Sequence, residues 1–283
     1  MIFIKKIKEM KSYTKEKKRE GKTIGFVPTM GYLHQGHLSL IKKAKEDCEV
    51  VVVSIFVNPT QFGRGEDYER YPRNLERDRK LCQEEGVDVI FTPDVKEIYP
   101  QGCSTFIEVE GRISSILEGA SRPGHFRGVT TVLAKLFHII SPDYSYFGEK
   151  DYQQALIVKK MVKDLNFNLQ IFVLPTAREE DGLAVSSRNS YLNKEERREA
   201  GILYRSLISA KEKIRRGERD SHYLISFMKN LIEKEPLAEI DYIAVVNPKT
   251  LEEVKKINEE VFLVLAVNIG KTRLIDNMKL KIR

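Results

Sequence analysis

The 283 residues are 41% hydrophobic and 31% charged, enough apolar material for one large or two ordinary globular domains. No apolar run nears the roughly 20 residues of a membrane span, and Met1-Ile2-Phe3-Ile4-Lys5-Lys6 is too short and too charged for a signal peptide, so a cytoplasmic protein with no membrane partner is expected. The basic excess of +7 is interleaved with acid, as in Lys194-Glu195-Glu196-Arg197-Arg198-Glu199, which argues against a nucleic-acid patch and suits anionic substrates.

In chain order, the first informative stretch is a β-type run at 23–27 followed by Pro28-Thr29-Met30-Gly31-Tyr32-Leu33-His34-Gln35-Gly36-His37 and a helical pattern at 37–48. This strand–loop–helix sets unpaired backbone N–H groups and partial positive charge at a helix start, an arrangement that favours phosphate. Gly31 and Gly36 remove side chains where a ligand approaches the backbone, and two imidazoles there can donate to phosphate oxygens. The plainer alternative is a turn with two solvated histidines.

The near-continuous run at 50–57 reads as a strand covered on both faces. At its end, Phe56-Val57-Asn58-Pro59-Thr60-Gln61-Phe62 offers two amides, Asn58 and Gln61, to a polar substrate, or forms a simple Asn-Pro turn. A helix at 74–85 and a strand at 87–91 follow, then a basic loop at 122–128 ahead of a helix at 129–140. A strand at 144–147 leads into Phe147-Gly148-Glu149-Lys150-Asp151-Tyr152-Gln153-Gln154, where Lys150 can place charge against phosphate and Asp151 can cap the next helix, 152–165. An exposed Glu-Lys-Asp turn is the competing reading. A strand at 169–174 completes the alternation, which predicts a doubly wound parallel sheet with ligands at the carboxyl ends of its strands.

After Pro175 the pattern changes. Asp181-Gly182-Leu183-Ala184-Val185-Ser186-Ser187-Arg188-Asn189 places two hydroxyls and a guanidinium on a loop fit to clamp an anion, or else is a linker with an incidental arginine. Helices at 194–216 and 221–234 precede strands at 240–246, 261–267 and 272–276, an α+β arrangement. Domains of 1–175 and 176–283 are expected. Cys48, Cys82 and Cys103 are odd in number, without metal-type spacing, and read as reduced thiols.

Taken together, 28–37, 56–62, 148–154 and 183–189, with Arg122-Pro123-Gly124-His125-Phe126-Arg127-Gly128-Val129, closely resemble the pantothenate synthetase (pantoate–β-alanine ligase) family, in order and from near the start to about residue 277. His34-Gln35-Gly36-His37 looks like the HxGH signature of nucleotidyltransferases. The resemblance implies a Rossmann-like nucleotide- and pantoate-binding domain with a smaller C-terminal α+β lid domain, and a homodimer. It implies ATP-dependent condensation of (R)-pantoate with β-alanine through a pantoyl-adenylate, with Mg²⁺ bridging phosphates through protein ligands left undefined.

By the same resemblance, ATP meets Met30, Gly31, Tyr32, Leu33, His34, Gln35, Gly36, His37, Gly148, Glu149, Lys150, Asp151, Ala177, Val185, Ser186, Ser187 and Arg188. His37, His34, Lys150 and Arg188 are the implied catalytic groups. Gln61, Gln154, Met30 and Asn58 are the implied contacts of pantoate or β-alanine. Two other readings stay open: an adenylyl- or cytidylyltransferase of the same superfamily, and a non-catalytic nucleotide- or RNA-binding protein.

Overall fold

In a computed structural model describing residues 1–281, the chain divides into two compact units, Met1–Thr176 and Ala177–Arg283. The first is built on β1 (Ile2–Ile4), β2 (Ile24–Thr29), β3 (Val50–Ile55), β4 (Val89–Phe91), β5 (Tyr144–Gly148) and β6 (Gln170–Leu174). Its helices are α1 (Ile7–Arg19), α2 (Gln35–Asp47), α3 (Leu75–Glu84), the single turns α4 (Val95–Ile98), α5 (Arg112–Ser115) and α6 (Glu118–Ser121), α7 (His125–Ile140) and α8 (Tyr152–Asp164).

The six strands are parallel and ordered β1-β4-β3-β2-β5-β6. Alternate side chains go to opposite faces: Ile24, Phe26, Val50 and Val52 pack with Val129, Leu133 and Phe137, whereas Val27, Val51 and Val53 pack with Leu38, Ile41 and Ala44. Both faces are therefore buried, which is why the strand sequences read as unbroken apolar runs. The chain leaves β2 toward β3 and β4, then returns to the other side of β2 as β5. The switch point thus lies between β2 and β5, and their carboxyl ends are where this topology opens a crevice.

Beyond the added β1 and the single turns α4, α5 and α6, three differences from the sequence expectation have a physical reason. The amphipathic α1 is an addition, since only Met10 and Thr14 of its thirteen residues are buried. Helix α7 begins at His125 rather than 129, taking in most of the stretch read as a basic loop. Gly128 lies inside the helix because it packs against the backbone of Thr60, where a Cβ would come within 2.2 Å of the carbonyl oxygen. The expected helix at 194–216 is two helices, α9 (Lys194–Ala200) and α10 (Ile202–Arg215), parted at Gly201, a residue that weakens helix continuity.

In the second unit, α9, α10 and α11 (Ser221–Ile232) precede an antiparallel meander of β7 (Ala238–Val246), β8 (Val261–Ile269) and β9 (Thr272–Leu280). Leu203, Leu207, Leu224 and Met228 form its core with Leu263, Leu265 and Val267. All three cysteines are free, Cys48 and Cys82 buried. No helix among the described residues is long and apolar enough to cross a membrane.

Candidate active site

The loop that follows β2 is shaped by two consecutive left-handed residues, Gly31 (φ +82°) and Tyr32 (φ +52°). A side chain at Gly31 would press on Ile55 Cγ2 at 2.9 Å and Asp78 Oδ2 at 3.1 Å. The turn aims the N–H groups of Tyr32 and Leu33 at the Asp78 carboxylate, at 2.8 and 2.7 Å. Asp78 lies on α3 and is 1% exposed. Burial pushes its carboxyl group up, opposed by the two backbone N–H groups and by Arg77. The sequence pattern predicts a helix at 74–85 and does not single out Asp78. The available signal was its spacing: Asp78 and Cys82, four apart, are the two buried residues of α3.

His34 and His37 stand at the start of α2, His34 as its N-cap. The His34 backbone N–H donates to His37 Nδ1 at 3.3 Å, and the rings lie 4.0 Å apart, tilted by 32°. Because that nitrogen accepts, the proton of neutral His37 sits on Nε2. Burial, the His37 ring, Lys150 and Arg77 push His34 down to about 2. Burial pushes His37 down to about 4, with Asp151 opposing and Lys150 adding to the shift. Both imidazoles are thus neutral at pH 7. The buried His34 Nδ1 has no hydrogen-bond partner among the described residues.

Lys150 follows the carboxyl end of β5, in the 3-10 turn Glu149–Asp151 that leads into α8. Its charge acts on both histidines, so the switch point brings together groups about 115 positions apart in sequence. A Cβ at Gly148 would meet nothing within 4 Å, leaving open space beside the lysine. Asp151 occupies the N-cap position of α8 without a side-chain capping bond; its carboxylate lies 3.7 Å from Lys150 Nζ instead.

The segment after β3 meets the first turn of α7. Gln61 Nε2 approaches Met30 Sδ at 3.2 Å. Asn58 was expected to touch substrate; it is 1% exposed and spends both ends of its amide on Thr60, Tyr99, Gln61 and Gly128. His125 Nδ1 lies 2.8 Å from the Gln61 carbonyl oxygen, and Arg122 lies 3.1 Å from His125 Nε2 while gripping Glu66 through two bonds of 2.9 and 2.6 Å. Gln153 is buried, bonded to Glu118, Ile113 and Ile116, whereas its neighbour Gln154 is half-buried on the first turn of α8.

In the second unit, Ala177 and Val185 join across a short loop through a 3.0 Å backbone bond. Arg178 anchors that loop: its guanidinium meets Asp276 at 2.7 and 2.9 Å and lies over the Tyr204 ring at 4.4 Å. Ser186 Oγ accepts from the Arg188 N–H at 3.3 Å, opening a 3-10 turn in which Ser187 is buried. Asn189 bonds Glu179, which in turn holds Arg197. The serine–arginine loop is therefore built on a rigid base within its own unit. Among the described residues, no group of three or more His, Cys, Asp or Glu side chains is placed to hold a metal ion.

Residues 2–279 match the family model described as pantoate-beta-alanine ligase. The chain is 55% identical over 282 residues to a pantothenate synthetase of Carboxydothermus hydrogenoformans, covering 100% of both. It is 54% identical over 277 residues to that of Pelotomaculum thermopropionicum, covering 98% of both. The crystal structure of pantothenate synthetase from Thermus thermophilus superposes with a TM-score of 0.93 at 45% identity, covering 98% of this chain and 99% of that one. The Francisella tularensis pantoate-beta-alanine ligase, solved with beta-gamma ATP and beta-alanine, gives a TM-score of 0.80 at 42% identity, covering 98% and 97%.

Proposed function

Because the chain belongs to the pantoate–β-alanine ligase family, we infer that it condenses (R)-pantoate with β-alanine, using ATP and releasing AMP and pyrophosphate. The observation that carries the residue assignment is the convergence of two neutral imidazoles and one lysine on the switch point between β2 and β5. A triphosphate fits that combination of a helix N-terminus, N–H donors and a point charge.

Pantoate's carboxylate is ionised at neutral pH, so its attack on the α-phosphorus needs no general base. The step needs alignment and stabilisation of charge moving onto the departing pyrophosphate. We assign that work to the Nε2–H of His37, to His34 and to Lys150, with the backbone of 30–37 and of 148–151 holding the nucleotide. A neutral imidazole donates a hydrogen bond without drawing the carboxylate away from phosphorus. The family resemblance extends the phosphate contacts to Ser186, Ser187 and Arg188, sets Ala177 and Val185 beside the nucleotide, and makes the second unit a lid that keeps water from the mixed anhydride.

Gln61 and Gln154 hold pantoate's oxygens while staying uncharged, and Met30 supplies an apolar wall. In the second half-reaction the β-alanine amine, unprotonated, attacks the pantoyl carbonyl and AMP leaves. Among the described residues no group of three or more His, Cys, Asp or Glu is placed to hold a metal; Mg²⁺ would enter on the phosphates of ATP, as that ion commonly does. A homodimer and a cytoplasmic location complete the proposal. Incubation with ATP, Mg²⁺, pantoate and β-alanine, with AMP and pantothenate measured together, tests it: equal molar yields support the ligase, and AMP without pantothenate refutes it.

A further inference from the structure

We propose that Asn58 is a positioning residue that fixes which end of the Gln61 carboxamide faces the substrate, so that Gln61 acts as a hydrogen-bond donor only. This rests on the placement of pantoate beside Gln61 given above.

The argument begins from two groups whose roles admit no choice. The backbone N–H of Thr60 can only donate, and it lies 3.3 Å from Asn58 Oδ1. The same oxygen takes the hydroxyls of Thr60 and Tyr99, each at 2.9 Å. At the other end of the amide, the carbonyl oxygen of Gly128 can only accept, and it lies 3.1 Å from Asn58 Nδ2. Turning the Asn58 amide over would set donor against donor and acceptor against acceptor in a place that is 1% exposed, where unpaired polar groups are costly.

Asn58 Nδ2 therefore donates its second hydrogen to Gln61 Oε1, at 3.0 Å. That bond engages the oxygen of Gln61 and leaves its NH2 facing outward, next to Met30 Sδ. A thioether is a weak acceptor, readily displaced by a substrate oxygen.

The backbone of Gln61 is held by the same logic. Arg122 can only donate, so His125 Nε2 accepts at 3.1 Å. The remaining nitrogen, Nδ1, then carries the hydrogen and donates to the Gln61 carbonyl oxygen at 2.8 Å. Burial holds His125 down near 4, so this neutral tautomer persists through the physiological range. Gln61 is thus pinned at main chain and side chain alike.

A donor-only amide recognises a hydroxyl lone pair or a carboxylate oxygen. It offers nothing to an ammonium group, which has no lone pair. The polarity set by Asn58 thereby turns the ammonium end of β-alanine away from Gln61 and reserves that position for hydroxyl or carboxylate oxygens, such as those of pantoate.

The test is a double-mutant cycle in steady-state kinetics with Gln61→Ala, Asn58→Asp and the double variant. Asn58→Asp keeps the acceptor for Thr60 and Tyr99 but turns an oxygen toward Gly128 and Gln61, which forces the glutamine over. The expected result is a rise of roughly tenfold or more in KM for pantoate, with KM for ATP within about twofold. In the Gln61→Ala background the same substitution should change KM for pantoate by less than about twofold.

An equal factor in both backgrounds overturns the proposal and leaves Asn58 a purely structural residue; an unchanged KM in Asn58→Asp also overturns it. If Gln61→Ala itself leaves pantoate use intact, the placement of pantoate at Gln61 falls, and the proposal with it. Should Asn58→Asp not fold, Tyr99→Phe removes one donor to Oδ1 and keeps the ring. A rise of about threefold in KM for pantoate, absent when Gln61 is Ala, supports the proposal; equal effects in both backgrounds, or none, contradict it.

Discussion

The backbone N–H of His34 donates to Nδ1 of His37 at 3.3 Å, so one signature histidine fixes the tautomer of the other and leaves His37 Nε2–H as the donor. Lys150 acts on both rings, and these three groups are the set to which we assign stabilisation of a leaving pyrophosphate.

His37→Ala and Lys150→Ala should each lower the single-turnover rate of adenylate formation by roughly 100-fold or more, the scale for losing a preorganised donor. Started from supplied pantoyl-adenylate, the second half-reaction should slow far less, because no pyrophosphate leaves in it. Rapid-quench measurement of both steps decides the matter. Equal slowing of the two contradicts the assignment.

Asp78 holds the 31–33 turn, which we assign to the nucleotide, through the N–H groups of Tyr32 and Leu33. Asp78→Asn replaces one acceptor with a donor facing a donor, at a loss of about 2–3 kcal/mol. Calorimetry should show a lower Tm together with a raised KM for ATP. A normal KM for ATP in a destabilised protein would mean that the loop keeps its shape without Asp78.

The histidines also set an acid limit. His125 is buried and held near 4, against an ordinary value near 6.5. The unfolded chain therefore binds a proton between pH 6.5 and 4 that the native protein refuses. The associated stability is fully present above pH 6.5 and is lost as the pH falls through that window, at up to about 1.4 kcal/mol per pH unit. His37, held near 4, acts in the same direction, more weakly for its partial exposure. Urea unfolding from pH 7 to 4.5 should follow this slope, and His125→Gln should reduce it; an unchanged slope in the variant contradicts the reading.

Much of the fold was legible because its physics is local. Val50–Ile55 reads as a buried strand since both of its faces are covered, and the turn chemistry around Gly31 and Gly36 marks a strand–loop–helix. Helix α1 did carry a short apolar stripe, Ile7, Met10 and Tyr13, that packs on the core, but it lies within a Lys/Glu-rich stretch that hides it as an element. The start of α7 was hidden by Gly128, which resembles a break but serves close packing on Thr60.

At the site, the histidines and Lys150 could be picked out by residue type and position. For Asp78 the spacing with Cys82 marks only the buried face of a helix; its partners, backbone N–H groups 45 and 46 residues away, are not legible. That the Asn58 amide is taken up by Thr60, Tyr99, Gln61 and Gly128 was not legible, because sequence does not show which amides the protein itself engages.

The most direct test of the two-step chemistry is exchange of labelled pyrophosphate into ATP. With enzyme, ATP, Mg²⁺ and pantoate but no β-alanine, exchange should proceed, and omission of pantoate should abolish it. Exchange that appears only on addition of β-alanine would contradict an adenylate formed before the amine attacks.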